Sequence, residues 1–541
     1  MRGKGWSRFT CLTFITALML TVCGAREVPG PSLNANLPRF APDFSVLEHH
    51  NGPSRSGVYV HPSFTRKAAS GIHLEFSTPL EGVVSAQPVF LDAQGNGPDM
   101  VFVASEQNQV FAIDASTGLL IWKRILDPPL PRQVIIEVLG ECGSFDPTGI
   151  TGTPVIDEVG RGIYFDLVTP DDARYARHLV YGLSLDDGST LPGWPVDVGK
   201  SVPGFSDIVQ NQRGALTLLH DRVYVPYGSY TDCGDYRGWL VGISTFNTAA
   251  VDAWSPKALS AGIWAPSGVA SDGTSLFIAT GNGSKAKDWS GGEAILRLDD
   301  GPTFSGLPAD YFVPVDWPIL DEYDQDLGGS GVLLLDVPEA KPSELVAALG
   351  KNAKLYLADR SNLGGVGGAI VEEMITLFVI ITAPSTYTTK HGTYIVFSGY
   401  GYVIDCPGSE NISSIRVNPT SPITTSTAWC ARAPGLGATI VTTSDGFSDS
   451  IVWVVGAEAD DLLYAFDGDT GELIAISDGA SNVARYTAPI AAKGRLYVAG
   501  TDSLFAFTLN RPLTPSVDPI WEPSSAANSP SVDRTLRARR K

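Results

Sequence analysis

One phrase recurs eight times along this chain, and it constrains the fold more than any other feature. Each unit runs from a small or polar residue through a short apolar strand and a turn to a second strand rich in Tyr, Val and Phe, followed by a third strand. The first strands are expected to begin near residues 86, 152, 213, 265, 329, 383, 436 and 487. Starts separated by roughly 50–70 residues are typical of sheet-forming repeats.

The strands inside the units are apolar on both faces, most clearly at 100–104, 452–455 and 495–499. Such strands belong to sheets that are sandwiched between two neighbours. The repeats therefore predict an all-β, eight-bladed β-propeller of four-stranded antiparallel blades. The last unit lacks a fourth strand, whereas the strand-like segment 44–76 has no blade of its own. We predict that this N-terminal segment completes the eighth blade and closes the ring, which removes an exposed sheet edge.

Both ends of the chain differ in composition from the repeats. Three basic residues precede an apolar run over 9–22 that is too short and too early for a typical membrane-spanning helix, and this pattern indicates a secretory signal peptide. Cys23 leaves a lipoprotein anchor open as the alternative, although Val22 is bulky where such sites have a small residue. The expected divisions are a signal peptide at 1–25, a flexible leader at 26–43, the propeller at 44–510, and a disordered, Pro/Ser-rich and basic tail at 511–541.

Four of the six cysteines lie within the repeats, and four suit two disulfides in an exported protein. Cys406 with Cys430 would close one local loop, which leaves Cys142 to pair with Cys233 across neighbouring units. None of the four has metal-ligand spacing such as C-x-x-C, and no C-x-x-C-H haem attachment occurs. The sequence therefore predicts disulfides and leaves the metal content unknown.

The charge balance bears on partners. The chain carries 58 Asp and Glu against 38 Lys and Arg, a formal net charge of −20. A chain of this sign is a poor partner for nucleic acid. We therefore expect a small molecule or glycan in the central funnel, contact with a membrane only through a lipid anchor at Cys23, and a monomer.

A turn motif at 112–122 reads Ala-Ile-Asp-Ala-Ser-Thr-Gly-Leu-Leu-Ile-Trp, and 465–471 repeats part of it. Asp114 can accept hydrogen bonds from the turn amides, Gly118 suits a positive φ, and Trp122 can pack between blades. In this motif the chain resembles quinoprotein alcohol dehydrogenases and related pyrroloquinoline-quinone-type propellers.

Further phrases resemble a secreted branch of that family, namely 49–51 with Arg55, 149–155, 233–239 and 326–330. The resemblance implies the fold directly. It implies an activity only as an expectation, because function resides in the site and not in the fold.

Candidate binding residues follow from the alignment of the repeats. Propeller ligands usually bind where the innermost strands begin, since that end of the channel gathers one position from each blade. The nominated binding residues are Gln87, Gln212, Arg213, Trp264 and Arg485. Arg clamps carboxylates and Trp stacks on flat faces, so this set suits an anionic planar ligand or a sugar. The alternative is that these are only polar residues lining the channel.

Candidate catalytic residues are fewer. Asp326 is a candidate base or metal ligand, and His50 with Asp235 is a candidate acid–base pair. The resemblance implies pyrroloquinoline quinone with Ca²⁺ as the cofactor. The chain departs from that pattern because it has no vicinal Cys-Cys pair and no metal triad that can be mapped residue by residue.

Three functions stay open at the level of sequence. The first is a secreted quinoprotein-type oxidoreductase acting on an alcohol or a sugar. The second is a non-catalytic propeller scaffold that binds protein or glycan. The third is a cofactor-free lyase or hydrolase on acidic carbohydrate, which would be favoured if His50, Tyr236 and Arg213 lay within hydrogen-bond reach of one another.

Overall fold

The computed structural model describes residues 43–143, 145–284 and 287–509. Within them, eight antiparallel four-stranded blades form a ring. Blade 1 comprises Val89–Leu91, Met100–Ser105, Gln109–Asp114 and Leu120–Ile125. Blade 2 comprises Val155–Asp157, Gly162–Asp171, Tyr175–Ser184 and Val196–Asp197. Blade 3 comprises Thr217–Leu219, Arg222–Ser229, Trp239–Ser244 and Val251–Trp254. Blade 4 comprises Ala270–Ser271, Ser275–Ala279, Ile295–Asp299 and Tyr311–Val313.

The other half of the ring repeats the pattern. Blade 5 comprises Val332–Asp336, Glu344–Leu349, Lys354–Asp359 and Val371–Met374. Blade 6 comprises Ser385–Thr389, Gly392–Ser398, Ile412–Asn418 and Thr424–Ala431. Blade 7 comprises Ile440–Thr443, Ile451–Val455, Leu463–Asp467 and Leu473–Ser477. Blade 8 comprises Ile490–Ala492, Arg495–Ala499, Ser503–Thr508 and, from the other end of the chain, His73–Pro79. The predicted fold class is confirmed, and each predicted start lies at or just before an innermost strand.

Short elements extend or join the blades. The extra strands are Gln210–Asn211 on blade 3, Gly365–Val366 on blade 4 and Val58–Val60 on blade 7. The α-helices are Arg66–Ala69, Arg132–Leu139, Val198–Ser201 and Trp317–Tyr323, and the 3-10 helices are His49–Asn51, Asp207–Val209 and Pro308–Asp310. No helix in the described part of the chain is long and apolar enough to cross a membrane.

The ring closes through the N-terminal segment, as predicted. His73–Pro79 pairs antiparallel with Ser503–Thr508, so strands from opposite ends of the chain share blade 8. A large apolar cluster fills the junction of blades 7, 8 and 1 and includes Trp453, Phe90 and Tyr59, all nearly inaccessible to solvent. Full burial of one such side chain is worth about 1.5–3 kcal/mol. The closure is therefore held by packing as well as by the sheet.

Residues 46–60 have a role that the sequence did not reveal. Only the later part of the predicted closing segment joins blade 8; residues 46–60, which we call the strap, run around the inside of the ring. The strap bonds to blades 1 to 7 in order, through Phe90, Ile156, Thr217, Ser271, Leu334, Thr386 and Val441. Its central residues, from Glu48 to His50 and Arg55, are buried. The strap therefore fills the middle of the ring just beyond the starts of the innermost strands.

The turn motif forms as its residues predict. The Asp114 carboxylate accepts hydrogen bonds from the amides of Ser116 and Thr117, both at 2.9 Å. Gly118 has φ +72°, a left-handed conformation that favours glycine. The Trp122 indole donates to the carbonyl of Leu185 in blade 2 at 3.0 Å and so joins neighbouring blades.

Both predicted disulfides are confirmed, and each restrains a loop that connects the second and third strands of a blade. Cys142–Cys233 ties the blade 3 loop to the connection between blades 1 and 2. Cys406–Cys430 ties the blade 6 loop to the outer strand of its own blade. These loops lie at the end of the ring where the innermost strands begin, and both therefore shape that face.

Candidate functional site

A cavity of about 280 Å³ opens where the innermost strands begin, and we call it the funnel pocket. Its lining carries charges of both signs, aromatic rings and hydroxyl groups. The residues that line it are Arg213, Ser229, Thr231, Asp232, Trp264, Asp324, Asp326, Lys351, Ile381 and Tyr486. The volume is near the lower end of the range for small-molecule sites, which is about 300–1,000 Å³.

Two cations lie against the aromatic rings of the pocket. The Arg213 Cζ atom is 4.9 Å from the Tyr486 ring centroid and 5.9 Å from that of Trp264. Lys351 Nζ lies 5.2 Å from the Trp264 centroid. No described residue accepts a hydrogen bond from Arg213, and its Nε is buried. The Arg213 guanidinium is therefore positioned by stacking, and its donors remain available to a ligand.

Asp326 is the buried carboxylate of the pocket. Its Oδ1 accepts a hydrogen bond from the Asn282 amide at 2.6 Å, and Lys351 Nζ lies 2.7 Å from its Oδ2. The same Nζ is 2.7 Å from Asp324 Oδ1. Burial raises the pKa of Asp326, while Lys351 limits the rise. Burial opposes the charge of Lys351, but Asp326 and Asp324 outweigh it and raise the pKa of Lys351. Lys351 therefore stays a cation, and it stabilises the charged form of Asp326.

Two further buried carboxyls do not line the pocket but interact electrostatically with its residues, Glu293 with Asp326 and Glu106 with Arg213. Glu293 accepts a hydrogen bond from the Leu327 amide at 2.6 Å, and burial together with the charge of Asp326 raises its pKa well above the ordinary value. Glu106 accepts hydrogen bonds from Ser85, Gly149 and Thr151, and burial raises its pKa to about 7 despite those donors. Perturbed carboxyls of this kind cluster at functional sites, although structural networks produce them too.

Comparison with known proteins identifies solved structures that share the fold. No protein-family model matches the chain, and no curated protein matches it. A quinohemoprotein alcohol dehydrogenase, ADHIIG from Pseudomonas putida HK5, superposes with a TM-score of 0.63 at 14% identity, over 90% of this chain and 82% of that one. A second quinohemoprotein alcohol dehydrogenase, from Comamonas testosteroni, has a TM-score of 0.55 at 14% identity, over 86% of this chain and 80% of that one. A europium-containing methanol dehydrogenase has a TM-score of 0.59 at 12% identity, over 86% of this chain and 98% of that one.

This chain shares the eight-bladed β-propeller fold of these dehydrogenases. Identities of 12–14% support the fold alone and carry no activity across to this protein. The resemblance seen in the turn motif is therefore confirmed at the level of the propeller, whereas the secreted branch remains a prediction. Any activity of this chain therefore depends on the chemistry of the funnel pocket.

The structure brings some of the sequence-predicted residues into the funnel pocket. Arg213, Trp264 and Asp326 all line it. Arg485 does not, because its guanidinium makes a bidentate pair with Glu458, with Nε–Oε distances of 2.9 Å. The neighbouring Tyr486 lines the pocket in its place.

The two predicted glutamines lie outside the pocket lining, and their side chains form hydrogen bonds with backbone groups. Gln87 Oε1 accepts a hydrogen bond from the His50 amide of the strap at 3.0 Å. Gln212 Nε2 donates to the Gly214 carbonyl at 2.5 Å, within its own blade. Both side chains are buried, and neither lines the funnel pocket. The structure therefore connects Gln87 with the strap and Gln212 with blade 3.

His50 and Asp235 are not brought together. His50 is fully buried in the strap and stacks on His49 with ring centroids 4.4 Å apart, and burial with the charge of Arg55 lowers the pKa of His50 to about 3. Asp235 is exposed on the blade 3 loop. Tyr236 donates its hydroxyl hydrogen to Asp232, so no hydrogen bond among the described residues joins it to His50 or Arg213.

Sequence reasoning missed Lys351, Asp232 and Glu106, and they share one signal. Each lies on the loop between the second and third strands of a blade, at the same end of the ring as the start of the innermost strand. The alignment of the repeats used only the innermost strands. A second alignment of these loops would have nominated Lys351 after strand Glu344–Leu349 and Asp232 after strand Arg222–Ser229.

The loop that carries Asp232 has two consecutive residues in the left-handed backbone conformation. Thr231 and Asp232 both have positive φ, at +51° and +59°, a conformation that is costly for side chains with a Cβ. The Asp232 carboxylate accepts the Tyr236 hydroxyl at 2.5 Å, and the adjacent Cys233 is bonded to Cys142. These contacts hold the loop against the funnel pocket.

Proposed function

We propose that this protein is a quinoprotein-type oxidoreductase that dehydrogenates a small alcohol or a sugar hydroxyl in the funnel pocket. The observation that carries the proposal is the Arg213 guanidinium, stacked on Tyr486 and beside Trp264, with no hydrogen-bond acceptor among the described residues. It lies in the same cavity as the buried carboxylate of Asp326. A stacking surface, an available cation and a proton acceptor are the protein groups that such a reaction requires.

The residues of the pocket suit a planar quinone that carries carboxylates. The Trp264 indole offers a flat face, and Arg213 offers donors in a fork that matches a carboxylate. When bound, the quinone supplies the two-electron acceptor that alcohol oxidation needs. Arg213 would pair with a carboxylate of the cofactor, while Lys351 would offset the charges of Asp324 and Asp326 beside it. The funnel wall of Tyr486 and Trp264 would exclude water from one side.

Asp326 is proposed as the base that takes the proton of the substrate hydroxyl. Lys351, at 2.7 Å from its Oδ2, stabilises the carboxylate form before the reaction, and the Asn282 amide fixes the orientation of the other oxygen. The proton therefore passes to Oδ2 or Oδ1 of an already oriented group.

The calcium part of the cofactor prediction receives no support of its own. No group of three His, Cys, Asp or Glu side chains comes together as a metal site among the residues that the structure describes. Ca²⁺ stays part of the proposal through the resemblance alone, and the experiment therefore adds the quinone with and without it.

The experiment is a titration of the purified protein with pyrroloquinoline quinone, following the heat of binding and the melting temperature. We expect saturable binding, and stabilisation of about 2.7 kcal/mol when free cofactor reaches 100 times Kd. Arg213→Met should weaken binding at least tenfold. Arg485→Met is the matched control, because Arg485 is an arginine of the same face that already pairs with Glu458. Binding that is absent, or equally sensitive to both variants, would refute the cofactor site.

Export is part of the same proposal. The N-terminal residues that resemble a signal peptide lie outside the described residues, but two disulfides within the propeller favour an oxidising compartment. We propose a secreted or periplasmic protein. Mass spectrometry of the protein purified from its natural source tests this: a mature N-terminus near residue 26 is expected, and an intact residue 1 would refute it.

A further inference from the structure

We infer that a groove on the rim of the funnel face binds a neutral saccharide chain. This rim groove, of about 420 Å³, lies on blades 6 and 7 and is separate from the funnel pocket. Its lining residues are Tyr400, Gly401, Tyr402, Ser409, Asn411, Arg432, Ala433, Pro434, Gly435, Leu436, Ala457 and Glu458. The inference does not rest on the proposed redox function, because it concerns binding alone.

Exposed aromatic rings cluster beside the rim groove. Tyr400 and Tyr402 are 51% and 50% exposed, and Phe378, next to them, is 46% exposed. The rings of Phe378 and Tyr402 are 6.2 Å apart. Single exposed apolar side chains are ordinary, but a contiguous group of them marks an interaction site. The group is therefore suited to a ligand that covers flat aromatic surface.

The loops that carry these rings are held in place before any ligand binds. The Leu377 amide donates to the Tyr402 carbonyl at 3.0 Å, and the Tyr400 amide donates to the Val379 carbonyl at 3.2 Å. The Thr376 hydroxyl donates to the same Tyr402 carbonyl at 2.8 Å. The Cys406–Cys430 disulfide closes the far end of the loop. A preorganised aromatic surface loses little entropy on binding, which favours a recognition role.

The polar groups of the groove have hydrogen-bonding capacity, and the two charged side chains that line it, Arg432 and Glu458, are opposite in sign. Glu458 is neutralised by its bidentate pair with Arg485. The Asn411 carbonyl oxygen accepts from the Ala433 amide, while its amide nitrogen has no acceptor among the described residues. Arg432 donates to the Ser409 hydroxyl at 2.6 Å with one of its nitrogens and faces solvent with the others.

These features together select the chemistry of the ligand. A pyranose ring has an apolar C–H face that covers an aromatic ring, and it has hydroxyl groups at its edge that take up donors and acceptors such as those of Asn411 and Arg432. The floor of the groove is backbone and small side chains at 433–435 and Ala457, so an extended chain can lie close to it. A neutral oligosaccharide satisfies each of these conditions.

The rim groove lies close to the funnel pocket. Leu436 precedes the innermost strand of blade 7, and Arg485 at the inner end is adjacent to Tyr486 of the funnel pocket. The inner end of the rim groove therefore lies next to the funnel pocket on the same face.

The test uses the full mature protein without cofactor and a panel of neutral hexasaccharides made of glucose, xylose, mannose or galactose. Isothermal titration is expected to show at least one binder with Kd tighter than about 1 mM. The double variant Tyr400→Ala/Tyr402→Ala should weaken that binder about tenfold or more, since stacking on both rings is lost. Tyr400→Phe, which keeps the ring, should stay within about threefold of the original protein.

Tyr175→Ala is the matched control, because Tyr175 is 55% exposed and lies on blade 2. It should leave the affinity unchanged, and melting curves of all variants report whether each one is folded. Absence of binding across the panel overturns the inference. Binding that survives the double alanine variant, or that Tyr175→Ala weakens equally, overturns it as well. Because no quinone is present, a failure here is distinct from a failure of the proposed oxidoreductase.

Discussion

Removing the Arg55 guanidinium should destabilise the ring from its centre. Arg55 is fully buried in the strap, and its Nη1 lies 2.9 Å from Glu48 Oε2 and 3.1 Å from the His49 carbonyl. Its Nη2 donates to the Leu216 carbonyl at 2.9 Å, which ties the strap to blade 3. Removing one partner of a buried ion pair costs about 3–5 kcal/mol because the other charge is left uncompensated. We expect Arg55→Met to lower the free energy of unfolding by that amount.

The assay is denaturant-induced unfolding followed by Trp fluorescence, since Trp453 is buried where the ring closes. The control is Arg495→Met, which removes the partly exposed pair with Glu75 on blade 8 and should cost only about 0–1 kcal/mol. The double variant Arg55→Met/Glu48→Leu should recover part of the loss, because no unpaired charge remains. If Arg55→Met costs no more than Arg495→Met, the strap is not held by this pair and the reasoning is refuted.

Two further predictions concern pH and the blade 3 loop. Burial opposes a charge on His178, but the Asp166 carboxylate, 2.7 Å from its Nδ1, outweighs burial and raises the pKa of His178. The stability from this pair is full below an unfolded pKa of about 6.5 and is lost as pH rises through the folded value, so His178→Gln should remove that slope from unfolding curves between about pH 6 and 9; an unchanged slope would contradict this. Replacing Cys142 and Cys233 by Ser should weaken quinone binding in calorimetry, because their bond holds the loop that lines the funnel pocket. Removing the other disulfide in the same way should leave quinone affinity unchanged, and the opposite order of effects would count against the pocket.

The repeats made the blades predictable from local pattern. A blade is built mainly from neighbouring strands, so the alternation of apolar strands and turns locates it without knowledge of the rest of the chain. The turn motif at Asp114 and the bridge between Cys406 and Cys430 are equally local, and both form as predicted. Arg213, Trp264 and Asp326 were found because they lie at equivalent places in successive repeats.

The pairing of Lys351 with Asp326 and the course of the strap were decided only by the tertiary structure. Lys351 reaches Asp326 from a loop that aligns with no innermost strand. The strap bonds to six of the seven blades through backbone atoms, and a backbone hydrogen bond leaves no mark on side-chain identity. Thus local periodicity determined the number and the order of the blades. Closure of the ring determined that Arg213 meets Tyr486 in the funnel, because these residues are distant in sequence and become neighbours only around the common axis.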